Sequence, residues 1–292
     1  MLCIQQKNHR HFLRVVKKNL QNTCYSIKKD GVRCWAVHKL KDNTTKYLSR
    51  SGKEFTNFGV AFDEDISQAV HKLLELHPEL ETDELQYIIF DGEVDAVDRK
   101  GTEGFQKLMT QVTKLKDVDP EIFRFHIFDI VLDNVIFSKR YQYLYDLFNN
   151  TSFVKILLLE HFATPATAKT IADLDEIAQK YIEQGEEGVV FKVLDSLYEY
   201  KRSNYWIKFK KSETADVQVV GWEYGTGKNS KVMGKLNCLY ESKPFNVGSG
   251  FSDKEREEFM KNTPNLIEIN FHDLTKEGIP RHGTFIRVRE DK

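Results

Sequence analysis

Near its start the chain carries six residues, KKDGVR at 28–33, between two stretches that read as strand, Tyr25-Ser26-Ile27 before them and Cys34-Trp35-Ala36-Val37 after them. A lysine is thereby held at a strand end, with Asp30, Gly31 and Arg33 close behind it. A lysine fixed on a rigid strand and crowded by other cations can lose its proton near neutral pH and act as a nucleophile. Far downstream, WIKFK carries Lys208 and Lys210, which share one face of a strand because residues two apart point the same way. Their alternation with Ile207 and Phe209 reads as a half-buried strand rather than a solvated charge run. The fold has to bring that strand to Lys28 for the cations to act together. Taken alone, KKDGVR also fits an exposed basic hairpin.

At 292 residues the chain has length for about two domains of roughly 150 residues each. An apolar content of 40% and a charged content of 30% suit a soluble globular enzyme. The net charge of −1 excludes a polycation, so any nucleic-acid surface must come from local segregation of charge. Such segregation is present: acids dominate 63–98, KRSNYWIKFKK at 201–211 holds five bases and no acid, and the tail at 281–292 adds Arg287 and Arg289. Four cysteines without paired spacing point to a reducing compartment. The N-terminal MLCIQQKNHRHFLRVVKKNLQ has no continuous apolar stretch, and no segment approaches the roughly 18 apolar residues of a membrane span. The expectation is a cytoplasmic, intracellular protein with no membrane partner.

Strands and helices alternate along the chain. A basic amphipathic stretch is predicted at 11–20, a strand at 32–38, and another beginning at Tyr47-Leu48-Ser49. A helix is predicted to start at Asp63-Glu64-Asp65 and to close at His77-Pro78, because proline cannot continue the helical ladder. Residues 87–90 read as a compact strand ending at Asp91-Gly92-Glu93. Further helices are expected at 105–115, 141–148 and 171–182, and strands at 123–132 and 188–193. Beyond Lys211 the texture turns β-rich, with strands at 216–222, 235–240 and 267–274 and one helix at 253–261, which fits a five-strand barrel. The fold class is α+β, with domains at 1–212 and 213–292.

Further motifs each offer something a nucleotidyl-lysine reaction needs. FDGE at 90–93 offers carboxylates for a metal or a ribose hydroxyl, and also fits a solvated turn. FDI at 128–130 puts Phe128 on a buried strand, where most phenylalanines are simply core. EGVVFK at 187–192 adds a carboxylate, a close-approach glycine and an apolar floor.

In order, KKDGVR, FDGE, FDI, EGVVFK, WIKFK and the terminal RHGTFIRVREDK resemble the successive motifs of the covalent nucleotidyltransferase superfamily, and more narrowly the small ATP-dependent DNA ligases. VGSGFSDKEREEF, IEINFHDLT and RHGTF are similar to the ligase barrel domain. The resemblance implies an adenylation (nucleotidyltransferase, ATP-grasp-like) domain with antiparallel sheets followed by an OB-fold β-barrel. It further implies sealing of 3′-OH/5′-phosphate nicks in duplex DNA, in replication, repair or recombination, through a lysyl-AMP and a DNA-adenylate.

By that resemblance Lys28 is the nucleophile, Asp30 orients its motif, and Lys208 and Lys210 depress its pKa while neutralising the α-phosphate. Phe128 and Val190 sandwich adenine, Arg33 and Glu93 address the ribose and the nick, and Glu93 and Glu187 hold magnesium or manganese. Arg50 in the SRSGKEF turn grips the 5′-phosphate, with Lys192 a second nucleic-acid contact. Arg287 and Asp291 act on the ATP pyrophosphate, which implies that the barrel closes over the nucleotide. Only 27 residues precede Lys28 and the turn at 225–234 is short, so neither a separate N-terminal DNA-binding domain nor a wrapping hairpin is expected. A monomer is expected, with accessory replication or repair proteins as candidates to complete the DNA grip and marked salt sensitivity of nick binding. The rivals are an mRNA-capping guanylyltransferase, an RNA ligase and a non-catalytic scaffold for nucleic-acid ends. EGVVFK and VGSGF favour the ligase over the capping enzyme, which labelling by ATP but not GTP would separate.

Overall fold

A computed structural model of the chain describes residues 2–5, 9–16, 19–97, 101–114, 117–211, 213–271, 274–275 and 277–289. The chain divides into two compact units, Met1–Lys210 and Lys211–Lys292.

The first unit runs β1 (Leu2–Gln5), α1 (His9–Val15), β2 (Thr23–Ile27), β3 (Val32–Lys39), β4 (Thr44–Ser49), α2 (Gly59–Leu76), β5 (Tyr87–Ala96), α3 (Gly101–Val112), β6 (Phe123–Ile130), α4 (Phe137–Asn150), β7 (Ile156–Leu158), β8 (Phe162–Ala163), α5 (Ile171–Glu183), β9 (Gly188–Val193) and β10 (Arg202–Lys210). These strands form two five-stranded sheets, in the orders β1-β10-β9-β2-β8 and β4-β3-β5-β6-β7. Alternation sets the faces. In the first sheet Val189, Phe191, Ile207 and Phe209 join Phe12 of α1 and Leu174 and Ala178 of α5 in one apolar core. In the second, Cys34, Ala36, Phe90, Val94, Phe125 and Ile127 pack on Phe62, Ile66, Ala69, Val70 and Leu73 of α2. The opposite face of the first sheet carries the polar Ser26, Lys192 and Lys208 beside a second apolar cluster around Phe128 and Trp206.

Helix α5 starts at a capping box, in which Thr170 and Asp173 each satisfy the other's backbone N–H. Its C-terminal stop is Gly185 at φ +93°, a conformation that costs glycine nothing. Helix α2 begins at Gly59, four residues before the predicted start, and carries no acid in its first turn. The predicted N-terminal acids do other work. Asp63 Oδ1 accepts from the Tyr47 hydroxyl at 2.9 Å, and buried Asp65 accepts from the backbone N–H of Lys155 at 2.6 Å. The stop before Pro78 is as expected. β4 ends at Ser49 rather than beginning near it.

The larger difference concerns FDGE, which is no strand end. β5 continues through Asp91-Gly92-Glu93 to Ala96, paired with β3 on one side and β6 on the other. Gly92 makes this possible: a Cβ there would lie 2.4 Å from the His126 carbonyl oxygen. An Asp-Gly pair that looks like a turn is thus a point of close strand approach.

The second unit runs β11 (Glu213–Tyr224), β12 (Met233–Tyr240), β13 (Lys243–Val247), α6 (Asp253–Lys261), β14 (Leu266–Phe271) and β15 (Thr284–Val288). Its sheet has the order β13-β12-β11-β14-β15, with irregularities in β11 at Val219/Gly221 and Glu223/Tyr224 where the strand bends. Ser249, just past β13, and Thr284 of β15 meet in an isolated bridge, so the edges approach without a continuous ladder among the described residues. Val217, Leu236, Val247, Ile267, Ile269, Phe259 and Phe285 form the core. Among the described residues no helix is long and apolar enough to cross a membrane.

Candidate active site

Strand register assembles the lysines. β9 is the hub, with β2 antiparallel on one side and β10 antiparallel on the other. Lys208, Val190 and Ser26 stand directly opposite one another, as do Trp206, Lys192 and Cys24. At the next rung Lys210 pairs with Gly188, whose carbonyl accepts from the Lys28 N–H at 2.8 Å. Directly opposed residues share a face, and the period of two keeps these rungs on the side away from the apolar core. Lys28, Lys208 and Lys210 therefore belong to one corner of one sheet face.

Two glycines permit the geometry. Gly188 sits at φ +148°, and a Cβ on it would lie 2.1 Å from the Phe209 carbonyl oxygen. A Cβ on Gly31 would lie 2.2 Å from the Val94 carbonyl oxygen, so the Lys28 loop rests directly on β5. No larger residue fits either position without moving a strand.

Glu187 is the electrostatic centre. Lys28 Nζ donates to its Oε2 and, at 3.3 Å, to the Lys29 carbonyl, while Lys210 Nζ stands 3.9 Å from Oε1. One carboxylate thus contacts both Lys28 and Lys210. Glu93 lies close by, and burial pushes its carboxyl up to about 7 against the pull of Lys28 and Arg33, with Glu187 and Asp91 adding to the rise. Asp30 is half-buried in the loop after Lys28, and Lys208 is half-buried on β10.

Arg33 is anchored on β5. Its Nε donates to Asp91 Oδ1 at 2.9 Å and its Nη2 to Oδ2, and the Tyr198 hydroxyl donates to Oδ2 at 2.7 Å. The guanidinium carbon lies 5.4 Å from the centroid of Phe128. Phe128 occupies a break in the β5–β6 register between Asp91/Asp129 and Gly92/Ile127. Such a bulge re-aims a side chain: Ile127 and Ile130 remain in the helix-covered core, while Phe128 joins Trp206 in a separate cluster. The two rings meet edge-on at 5.8 Å. Val190 is one rung from Lys192 and Trp206 on the same sheet face.

Lys192 is not where the sequence expectation puts it. The residue is 2% exposed, and its amine donates to the Phe128 carbonyl at 3.3 Å and contacts His161 Nε2 at 2.7 Å. The rings of Phe128, Phe137 and Trp206 lie 4.7, 4.9 and 4.2 Å from it. Burial and the lysine charge hold the His161 imidazole well below its ordinary range, which keeps it a neutral acceptor. A buried amine engaged in this way does not meet a phosphate backbone, so the reading of Lys192 as a DNA contact is corrected to a strut behind Phe128. Every residue of β9 is buried, so alternation with Phe191 and Val193 does not bring Lys192 to the surface.

Other expected residues lie apart. Arg50 is exposed in the turn after β4. Arg287 Nε donates to Glu268 Oε2 at 2.5 Å within the second unit, and Asp291 lies outside the described residues. Sequence reasoning passed over Asp91 as an anchor, and over Tyr198, His161, Asp129 and Arg140. Asp129 and Arg140, both 0% exposed, form a bidentate pair at 2.8 and 3.0 Å. Arg140 also donates to the carbonyls of Val135 and Ser196, at 2.5 and 3.1 Å. Only the FDI motif carried any signal for this pair.

The ATP dependent DNA ligase domain model matches residues 1–210, and the DNA ligase OB-like domain model matches residues 224–289. The DNA ligase of Haemophilus influenzae is 31% identical over 157 residues, covering 50% of this chain and 56% of that protein. The DNA ligase of Thermococcus onnurineus is 26% identical across 92% of this chain and 51% of its own length. The chain spans about half the length of the curated relatives it matches. A solved structure from a structure–function study of Lig E DNA ligases has a TM-score of 0.67 at 23% identity, covering 92% of this chain and 93% of that one, a likeness of fold. The first unit carries the nucleotidyltransferase fold and the second the OB-like fold. With both domain models matched in order, the chain belongs to the ATP-dependent DNA ligase family.

Proposed function

We propose that this chain seals 3′-OH/5′-phosphate nicks in duplex DNA with ATP, through a lysyl-AMP on Lys28 and then a DNA-adenylate. The observation that carries the reading is the convergence of Lys28, Glu187 and Lys210 around one end of β9. Attack by Lys28 Nζ on the α-phosphorus expels pyrophosphate and leaves AMP on nitrogen, and the amine has to give up its protons to do so. Glu187, in contact with that amine, is the acceptor at hand. Lys208 and Lys210 supply positive charge where the phosphoryl oxygens gain negative charge. AMP then passes to the 5′-phosphate, and attack by the 3′-hydroxyl releases it. Phe128 and Val190 offer apolar surfaces for adenine, and Arg33 and Glu93 polar groups for the ribose and the nick. Arg50 suits the 5′-phosphate because its planar fork binds phosphate bidentately.

Among the described residues no group of three or more His, Cys, Asp or Glu side chains forms a ready-made metal site. Glu93, whose ionisation burial and the nearby Glu187 make costlier, and Glu187 beside it fit a hard cation that completes its shell with substrate phosphates and water. Glu93 and Glu187 would hold it, magnesium or manganese, and it would supply charge neutralisation on the phosphates. The test is incubation with labelled ATP and magnesium, followed by a labelled nicked duplex. The wild type is expected to carry a covalent AMP and seal the nick, and Lys28→Ala to lose adduct formation by at least about 10³-fold. A wild-type chain that forms no adduct sinks the reading.

A further inference from the structure

We infer that Tyr198 is a positioning residue for nick sealing, acting through Asp91 to set the guanidinium of Arg33. This rests on the proposed ligase activity and deepens it.

Tyr198 lies in the connection between β9, which begins just after Glu187, and β10, which carries the lysine pair. The residue is 7% exposed, and its hydroxyl reaches across to the other sheet to donate to Asp91 Oδ2 at 2.7 Å. Asp91 is 0% exposed and spends its oxygens on the Arg33 fork. An oxygen shared between Tyr198 and Arg33 Nη2 fixes the carboxylate plane, and the carboxylate plane fixes the guanidinium.

The tyrosine is itself held from a third element. Arg140 of α4 lies with its guanidinium carbon 5.6 Å from the Tyr198 ring centroid and donates to the Ser196 carbonyl at 3.1 Å. The N–H groups of Phe137 and Ser138, at the start of the same helix, donate to the carbonyls of Ser196 and Leu194 at 2.8 and 2.9 Å. The connection is therefore clamped on both sides of Asp195. The sequence runs from a rigid helix, through a clamped loop, to a hydroxyl, a carboxylate and finally an arginine beside Phe128. Without the hydroxyl, Asp91 keeps its charge and its arginine but loses the contact that defines its rotation. The guanidinium then samples more orientations, and groups that must be held within fractions of an ångström lose rate steeply when they wander.

A double-mutant cycle tests this, with single-turnover sealing of a pre-adenylated nicked duplex as the rate and affinity for that nick as a parallel readout. Tyr198→Phe keeps the ring and removes only the donor. In the wild-type background it should slow sealing about fivefold to tenfold, the size of one hydrogen bond to a charged group, with nick affinity changed less than twofold. In an Arg33→Ala background the same substitution should cost less than about twofold, because the group it positions is gone. An Arg33→Ala protein too slow to time is replaced by Arg33→Lys, for which the same non-additivity is expected. Equal losses in both backgrounds, or an unchanged sealing rate in Tyr198→Phe, overturn the inference. So does a Tyr198→Phe chain that no longer folds by thermal melting, since that would make the hydroxyl a determinant of the fold. A wild type that fails to seal counts against the ligase reading, whereas a wild type that seals while the two losses simply add overturns this inference alone.

Discussion

The two units handle charge in opposite ways. In the first, Arg140 and Asp129 are both fully buried, Asp91 is fully buried between Arg33 and Tyr198, and Lys192 sits among three aromatic rings. In the second, every ion pair among the described residues has at least one exposed member: Arg289 is 36% and Asp216 46% exposed, and the buried Glu268 is paired with the exposed Arg287 and with Arg289. Buried charge is costly unless every partner is present. The first unit accepts that cost around the corner proposed to hold the nucleophile and phosphates, and the second unit has no fully buried ion pair among its described residues. Stability and chemistry are thus entangled in one unit and separable in the other.

The sharpest way to break this contrast is Arg140→Met, which strands Asp129 in the interior. Unfolding in urea should show a loss of about 3–5 kcal/mol. A loss below about 1 kcal/mol, the level of an exposed pair, would mean that the pair is solvated in practice and the contrast overstated. Gly188→Ala should follow at about 3 kcal/mol, because the new methyl meets the Phe209 carbonyl and the backbone leaves the range open to alanine. Its melting temperature and its yield of protein–AMP should fall together, since the same glycine sets the β9–β10 approach and the seat of Lys28.

Glu93 sharpens the comparison through pH. Its folded carboxyl is raised, so its contribution to stability is fully present below its ordinary 4.5 and is lost as pH rises to about 7. The difference in unfolding free energy between wild type and Glu93→Gln should therefore move against the wild type across that window and level off above it. A flat difference curve would show that Glu93 ionises in the folded protein as it does in water. The smallest effect belongs to the second unit: Arg289→Ala should cost less than about 1 kcal/mol, and most of that should vanish in high salt. A larger, salt-resistant loss would bring the two units closer together than their burial patterns imply.

Much of the fold was readable from local pattern. The strand at 188–193 and the helix at 253–261 have the bounds that alternation and capping predict, and α5 and β3 differ from expectation by one residue. Failures came where a tertiary partner outvoted a local signal. Asp91-Gly92 reads as a turn but is mid-strand, because β6 comes close enough to need a glycine. Asp63 and Asp65 read as helix-start acids, but Tyr47 and the β7 backbone claim them. β13 and β15 were not predicted as strands; their ladders to β12 and β14 define them.

For the site, the sequence alone determined the inventory: a lysine followed closely by an aspartate, a glycine and an arginine, then carboxylates, an aromatic on a buried strand and two lysines of one parity. Those are properties of residue type and period, which the chain carries locally. Tertiary structure decided who meets whom. Register across β9 put Glu187 between Lys28 and Lys210, and a bulge turned Phe128 out of the helix-covered core. Burial made Lys192 a strut instead of a surface cation. KKDGVR supplies the lysine proposed as nucleophile, but its neighbours are fixed by hydrogen bonds between strands far apart in sequence, which no local pattern encodes.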